Sequence, residues 1–225
     1  MTNTLHRYGD AESLRDDFIV FAMPTRGVND ADCVEKLRTF LRLALKHQPV
    51  NLGDARKGGL YQPSPRLNPS AHWRRQEPLR TDEILDRIDG PTTVSAVFDN
   101  RQDLVAFLEE LKEADLGLSI NISGLMDEAN RCCLDAGITR HSVEYSLGFR
   151  GQMDRLPERS VLELSTMCGH GMISASFAKK MMDWVKEGRR TPAEAARSAA
   201  RFCVCGVFNM TRAQRILERV RGGDP

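Results

Sequence analysis

Several things are scarce or missing in this 225-residue chain. Aromatic residues make up only 6%. No apolar run approaches the roughly 18 residues needed to cross a bilayer, which argues against a membrane partner. The N-terminal stretch MTNTLHRYGDAESLRDD lacks the apolar segment of a secretory signal. The expected setting is therefore the cytoplasm, where thiols stay reduced. Charge of one sign is missing as well: 32 Lys and Arg stand against 31 Asp and Glu, for a net charge of +1. That balance argues against a dedicated nucleic-acid binder. No internal repeat or low-complexity tract is visible. What remains is a chain 41% hydrophobic and 28% charged, long enough for one large or two small globular domains, with six cysteines to explain.

Residues 18–23 (FIVFAM) are apolar and β-prone and end at Pro24-Thr25-Arg26-Gly27. Asn29 is placed to cap a helix in which Leu37, Phe40, Leu41 and Leu45 recur at helical spacing. Residues 49–80 hold Pro49, Pro63, Pro65, Pro69 and Pro78 and little periodicity, so a long loop is expected there. TTVSAVFD (92–99) predicts a strand. Asn100 caps a helix bearing Leu104, Phe107, Leu108 and Leu111. LGLSINIS (116–123) predicts another strand, and Ser123 is expected to cap a helix through LMDEANRCCLDAG, ended by Gly137. HSVEYSLGF (141–149) and SVLELS (160–165) read as two more strands. Beyond them MISASFAKKMMDWVKEG, TPAEAARSAARF and residues 209–220 read as three helices, the second opened by Thr191-Pro192 with Glu194 in a capping box.

This order predicts an α+β protein: an α/β-type sheet layer with crossover helices, followed by a helical, cysteine-bearing region. The expected divisions are an N-terminal tail (1–17), a sheet domain (18–165) containing the loop 49–80, and a helical region (166–225).

The cysteines are Cys33, Cys132, Cys133, Cys168, Cys203 and Cys205. In a reducing compartment, close-spaced cysteines point to metal binding or catalysis before disulfides. Cys168-Gly169-His170-Gly171 and Cys203-Val204-Cys205-Gly206 fall at element junctions. Glycine beside cysteine lets the backbone approach a bulky ligand, and free amides at helix ends stabilise thiolates. Such cysteines suit an iron–sulfur cluster. Buried packing and a catalytic thiol are the competing explanations. Cys132 and Cys133 lie within a helix, pointing about 100° apart, so core packing is the default there, with one of them free to complete a cluster. Cys33 is expected to be packing or a helix-start surface residue.

Residues 168–220, with CGH, a helix ended by Gly188, a Thr-capped helix, CVCG and FNMTRAQRIL, resemble the helical iron–sulfur module of the bacterioferritin-associated ferredoxin family. The gap between His170 and Cys203 is 32 residues, in keeping with that family. His170 replaces the second cysteine of the first pair, and the second pair is Cys-x-Cys rather than Cys-x-x-Cys. The resemblance implies a 4Fe-4S or 2Fe-2S cluster on Cys168, Cys203 and Cys205, with His170 in the fourth place; Cys132 or Cys133 is the alternative for that place that the residues themselves leave open. A second, five-residue resemblance is that of MCGHG (167–171) to a catalytic-cysteine segment of the proline racemases, which implies Cys168 as base or nucleophile beside His170.

Three functions stay open at this point. One is an iron–sulfur protein, an oxidoreductase or lyase with redox or Lewis-acid chemistry on a small molecule or with an electron-transfer partner. Another is a cofactor-free racemase, epimerase or lyase. The third is a zinc-stabilised, non-catalytic module on Cys168, His170, Cys203 and Cys205. Arg26, Asn121 and Ser123, near strand ends, are candidate substrate contacts. His72-Trp73-Arg74-Arg75 reads as a basic loop segment. A homo-oligomer is open.

Overall fold

A computed structural model describes residues 5–56, 58–61 and 80–223. Its class is α+β. The strands are β1 (Phe18–Met23), β2 (Asn51–Asp54), β3 (Gly58–Gly59), β4 (Val94–Phe98) and β5 (Ser119–Ser123). The helices are α1 (Ala11–Leu14), α2 (Cys33–Lys46), α3 (Thr81–Asp86), α4 (Arg101–Ala114), α5 (Met126–Asp135), α6 (Arg159–Ser165), α7 (Ala175–Lys186), α8 (Pro192–Ala200) and α9 (Met210–Gly222). No helix among the described residues is long and apolar enough to cross a membrane.

The sheet order is β3-β2-β4-β1-β5. Every neighbouring pair is antiparallel. The crossover helices α2 and α4 are present, but each joins two strands that are separated by a third. β4 lies between β1 and β2, and β1 lies between β4 and β5. The two crossovers are thereby interleaved, the doubled split-βαβ path called ferredoxin-like, a term for the chain trace alone.

Both faces of this sheet are covered, so β1 and β4 do not alternate, and Ser95 is the one polar residue in the two strands. Phe18, Val20 and Ala22 of β1, with Val94, Ala96 and Phe98 of β4, pack against Leu37, Phe40 and Leu41 of α2 and Leu104, Phe107 and Leu108 of α4. Ile19, Phe21 and Val97 point the other way, into the layer formed by α6 to α9. The register places Ile19 opposite Val97 and Phe21 opposite Ser95, which keeps the two sets apart.

Some local expectations hold. Asn100 accepts from the Asp103 N–H, and Thr191 and Glu194 form the capping box of α8. Others are corrected. Residues 160–165 are helix α6, not strand: a short segment with Val161, Leu162 and Leu164 as its apolar residues fits a short buried helix equally well, and Glu163 pairs with Arg159 one helical turn back. Residues 141–149 are exposed and form no strand. Residues 49–80 are not a plain loop, because β2 and β3 fall within them; the His72–Arg75 segment lies outside the described residues. Neither Ser123 nor Asn29 is an N-cap: α5 starts from Leu125 and α2 from Asp32. Residues 5–17 are packed rather than trailing, with Leu5 against the core of the α6–α9 layer.

Candidate metal centre

Cys168 lies in the connection from α6 to α7, and Cys203 and Cys205 in the turn from α8 to α9. Cys168 thus follows a helix, not the expected strand. The turn 203–206 is seated on the sheet by close backbone contact. A Cβ built on Gly59 would stand 2.5 Å from the Cα of Gly206, and one on Gly206 would stand 2.6 Å from the Cα and N of Gly53. Gly206 also has φ +71°, a left-handed conformation that side chains resist. Ser95 Oγ donates to the Cys205 carbonyl at 2.9 Å, and Asn51 Nδ2 donates to the Phe208 carbonyl at 3.0 Å. These two polar side chains sit on the face of the sheet that carries α6–α9, and the turn satisfies them.

The first cysteine is held from the other side. Gly169 has φ +71°, and a Cβ there would lie 2.8 Å from Leu5 Cβ and 2.9 Å from the His6 N. Tyr8 N donates to Thr166 Oγ1 at 3.0 Å, so residues 5–8 run across the connection that bears Cys168.

These supports bring four side chains together. Cys168 is near enough to Cys203 and His170 to interact with both. Cys203 Sγ lies 3.7 Å from Cys205 Sγ, and Cys205 Sγ lies 3.2 Å from His170 Nδ1. The backbone N–H groups of His170 and Val207 reach Cys168 and Cys203 respectively. All three cysteines are buried, at 0–2% exposure. The Cys203 hydrogen bond and burial push the Cys168 thiol up to about 12. The Cys203 thiol is held down by its bond with Cys168, but Cys205 beside it and burial carry it to about 12 as well. His170 Nε2 is buried with no hydrogen-bond partner among the described residues, and an orphaned buried nitrogen calls for an explanation. No three His, Cys, Asp or Glu side chains among the described residues are set as ready ligands around one point.

The other candidates do not join this group. Cys132 is buried in the core on the opposite side of the sheet, with Cys33. Cys133 shares α5 with it, and α5 packs on α4 and β5. Burial raises all three thiols, Cys132 to about 11. The expectation that Cys132 or Cys133 completes the site is thus corrected: the sheet stands between Cys132 and the group, and Cys133 belongs to the same helix. Cys33 is packing. Asn121 and Ser123 pair with Phe21 and Ile19 and so face the cysteine side of the sheet. They lie on edge strand β5, however, whereas the cysteine turn sits on β2, β3 and β4. Ser123 is engaged by Arg7, whose Nη2 donates to its carbonyl at 3.0 Å. Arg26 is exposed beyond the other end of β1. These three form no common site.

A buried ionic cluster escaped the sequence reading. Asp17, with 0% side-chain exposure, holds Arg7 at 2.6 Å and Arg212 at 3.1 Å, and Asn209 Nδ2 donates to it at 2.9 Å. Arg212 Nη2 donates to the Tyr8 carbonyl and Nε to Ser13 Oγ. Ser13 and Arg219 in turn meet buried Glu163. In the sequence Arg212 reads as a surface residue beside the apolar face of α9, and its burial depends on where residues 7–17 are laid.

No family model, no curated protein and no solved structure matches this chain.

Proposed function

We propose that this chain is a metal-binding protein and that Cys168, Cys203, Cys205 and His170 take up one tetrahedral ion, zinc in the first instance. The observation that carries this reading is the gathering of four side chains able to ligate, with Cys205 in contact with both Cys203 and His170 and Cys168 buried beside them. Around one zinc ion, sulfurs at about 2.3 Å and nitrogen at about 2.0–2.1 Å stand about 3.8 Å (S to S) and about 3.5 Å (S to N) apart. The separations of 3.7 and 3.2 Å are close to those edges. Three thiols and an imidazole are the soft donor set that selects zinc or iron. A neutral thiol raised to about 12 is a poor nucleophile, which weighs against a cofactor-free thiol enzyme. Four protein ligands leave no open position, so the ion's work is to tie the 166–174 connection to the 203–206 turn and so fasten α6–α9 across the sheet.

A second reading, an iron–sulfur cluster, is favoured by a different observation. Gly169, Gly171 and Gly206 all take left-handed backbone angles beside the ligands, which keeps side chains away from them, and backbone N–H groups point at two of the sulfurs. In that case the function is electron transfer or Lewis-acid chemistry. Thiolates on different irons are separated by the cluster core, so the four side chains would have to move apart to admit it.

One experiment decides. Anaerobically purified protein is assayed for zinc, iron and acid-labile sulfide, and its absorption spectrum is recorded. Near-stoichiometric zinc in colourless protein is expected, lost in Cys168→Ser, Cys203→Ser and Cys205→Ser, weakened in His170→Ala and retained in Cys33→Ser. Iron with sulfide and a broad band near ~400 nm selects the cluster. Absence of both, even after anaerobic loading, overturns both readings.

A further inference from the structure

Residues 141–150, HSVEYSLGFR, place four large apolar side chains at every second position. Val143 is 46% exposed, Tyr145 71%, Leu147 68% and Phe149 39%. Soluble chains scatter single apolar residues over the surface without consequence, but a row of four on one extended segment is a signature of contact. Residues 139–150 form no backbone–backbone hydrogen bond with another described residue. The period-2 pattern of a half-buried strand is thus written into the sequence, and no described residue of the same copy pairs with it.

We propose that the occupant is a second copy of this chain, with residues 143–149 of the two copies pairing antiparallel about a two-fold axis through Ser146. Three observations point to self-pairing. First, this register puts Val143 opposite Phe149 and Tyr145 opposite Leu147, so all four apolar residues of each copy find an apolar partner on one face. A shift by one residue would set apolar against polar along the whole row. Second, Glu144 falls opposite Gly148 and diagonal to Arg150, so opposite charges lie within reach and no like charges face each other. Third, exposure is greatest at Tyr145 and Leu147, the two positions that flank the axis, and least at the ends. An isologous contact is centred on its two-fold axis, so these two most exposed residues are the ones it covers first.

The ribbon so formed is not left unsupported. Phe149 rests against Tyr8, with ring centroids 5.7 Å apart, and Ser146 Oγ lies 3.3 Å from His6 Nδ1. The segment is therefore borne on residues 6–8 of its own copy, the same residues that cross the Cys168 connection. The dimer strand does not depend on a metal.

The test uses the full chain. Among the described residues every native cysteine is buried and free, so a cysteine at an exposed site in this segment is the reactive thiol. Opposed residues on antiparallel strands have Cα atoms about 4.5–5.5 Å apart, inside the range a disulfide spans. Ser146→Cys is expected to form a covalent dimer in high yield under mild oxidation. Ser142→Cys, which lies far from its own counterpart in this register, is expected to stay below a tenth of that yield. By sedimentation equilibrium the unmodified chain is expected to be a dimer, and Leu147→Asp, at a position that carries no core contact, to weaken association at least 100-fold with its circular dichroism unchanged. A monomeric unmodified chain overturns the proposal. So does a dimer that Leu147→Asp leaves intact, or a Ser146→Cys protein that crosslinks no better than Ser142→Cys.

Discussion

The seating of the 203–206 turn on the sheet can be tested with three glycine-to-alanine changes that separate backbone strain from steric contact. Gly171 has φ +67° and nothing within 4 Å of an added Cβ, so Gly171→Ala carries conformational strain alone, about 1–2 kcal/mol. At Gly59 the reverse holds. Its φ is unexceptional, but the Cβ meets the Gly206 Cα at 2.5 Å and the Leu52 O at 3.0 Å. Those atoms are backbone and cannot swing aside as a side chain can, so Gly59→Ala carries the overpacking term, about 1–3 kcal/mol. Gly206→Ala combines left-handed strain with contacts at 2.6–2.7 Å to Gly53 and Leu52, for about 2–5 kcal/mol. In a chain of this size each kcal/mol moves the melting midpoint by about 2–4 °C. Chemical denaturation of the four proteins, with metal content measured in parallel, gives the comparison. The expected order of stability is unmodified, then Gly171→Ala and Gly59→Ala, then Gly206→Ala, with metal lost most readily from the last. If Gly206→Ala matches Gly171→Ala in stability, the turn does not press on β2 and β3, and the account of how the cysteines are positioned fails.

Two further outcomes follow from the charged groups. Asp17→Asn leaves Arg7 and Arg212 facing each other in the core without their shared anion; removing one partner from a buried ion pair costs about 3–5 kcal/mol, and urea denaturation is expected to show a loss of that order. Asp10 is held below the usual carboxylate range by the Ser13 N–H it accepts and by Arg159. Its stabilising contribution is therefore fully present above the unfolded value of about 3.9 and is lost as pH falls through the lower folded value. Asp10→Asn is expected to flatten that part of the acid limb, measured as the melting midpoint against pH below about 4.

The fold was legible where a local signal carried it. Phe18–Met23, the Asn100 cap and the Thr191–Glu194 box each act within a few residues, and the structure places them as the spacing predicts. Two failures share one cause. Val161, Leu162 and Leu164 form an apolar run that a strand and a short buried helix satisfy equally well, and the α7–α9 layer beneath it decides for the helix. Val143 to Phe149 alternate as a strand should, yet alternation says only that one face seeks cover, not which surface supplies it. β2 was missed because Asn51-Leu52-Gly53-Asp54 has one apolar residue. Its place in the sheet depends on Leu52 packing with the α2–α4 core and on Asn51 reaching Phe208, contacts made over a long sequence separation.

The candidate site divides in the same way. Glycine beside cysteine marked Cys168, Cys203 and Cys205, because a left-handed turn is a local demand that only a few residues meet. That these three meet each other, while Cys132 does not, is set by which face of the sheet each element covers, and no spacing rule contains it. Asp17 shows the point most sharply. It precedes β1 by one residue and in sequence looks like a solvated charge. Its carboxylate nevertheless gathers Arg7 from the N-terminal segment and Arg212 and Asn209 from α9, and Arg212 in turn holds the Tyr8 carbonyl. Residues 5–8 are thereby fixed across the connection that carries Cys168. The seated 203–206 turn and the ionic cluster thus fasten the same layer from two sides. Close glycine contacts and Ser95 hold the turn to β2, β3 and β4, and the ionic cluster clamps α9 to the start of β1. Loosening the N-terminal segment at Asp17 should therefore expose Cys168 before Cys203 or Cys205, an order that thiol labelling of Asp17→Asn, resolved by mass spectrometry, reads directly; uniform labelling of all three would show that the two fastenings do not act separately.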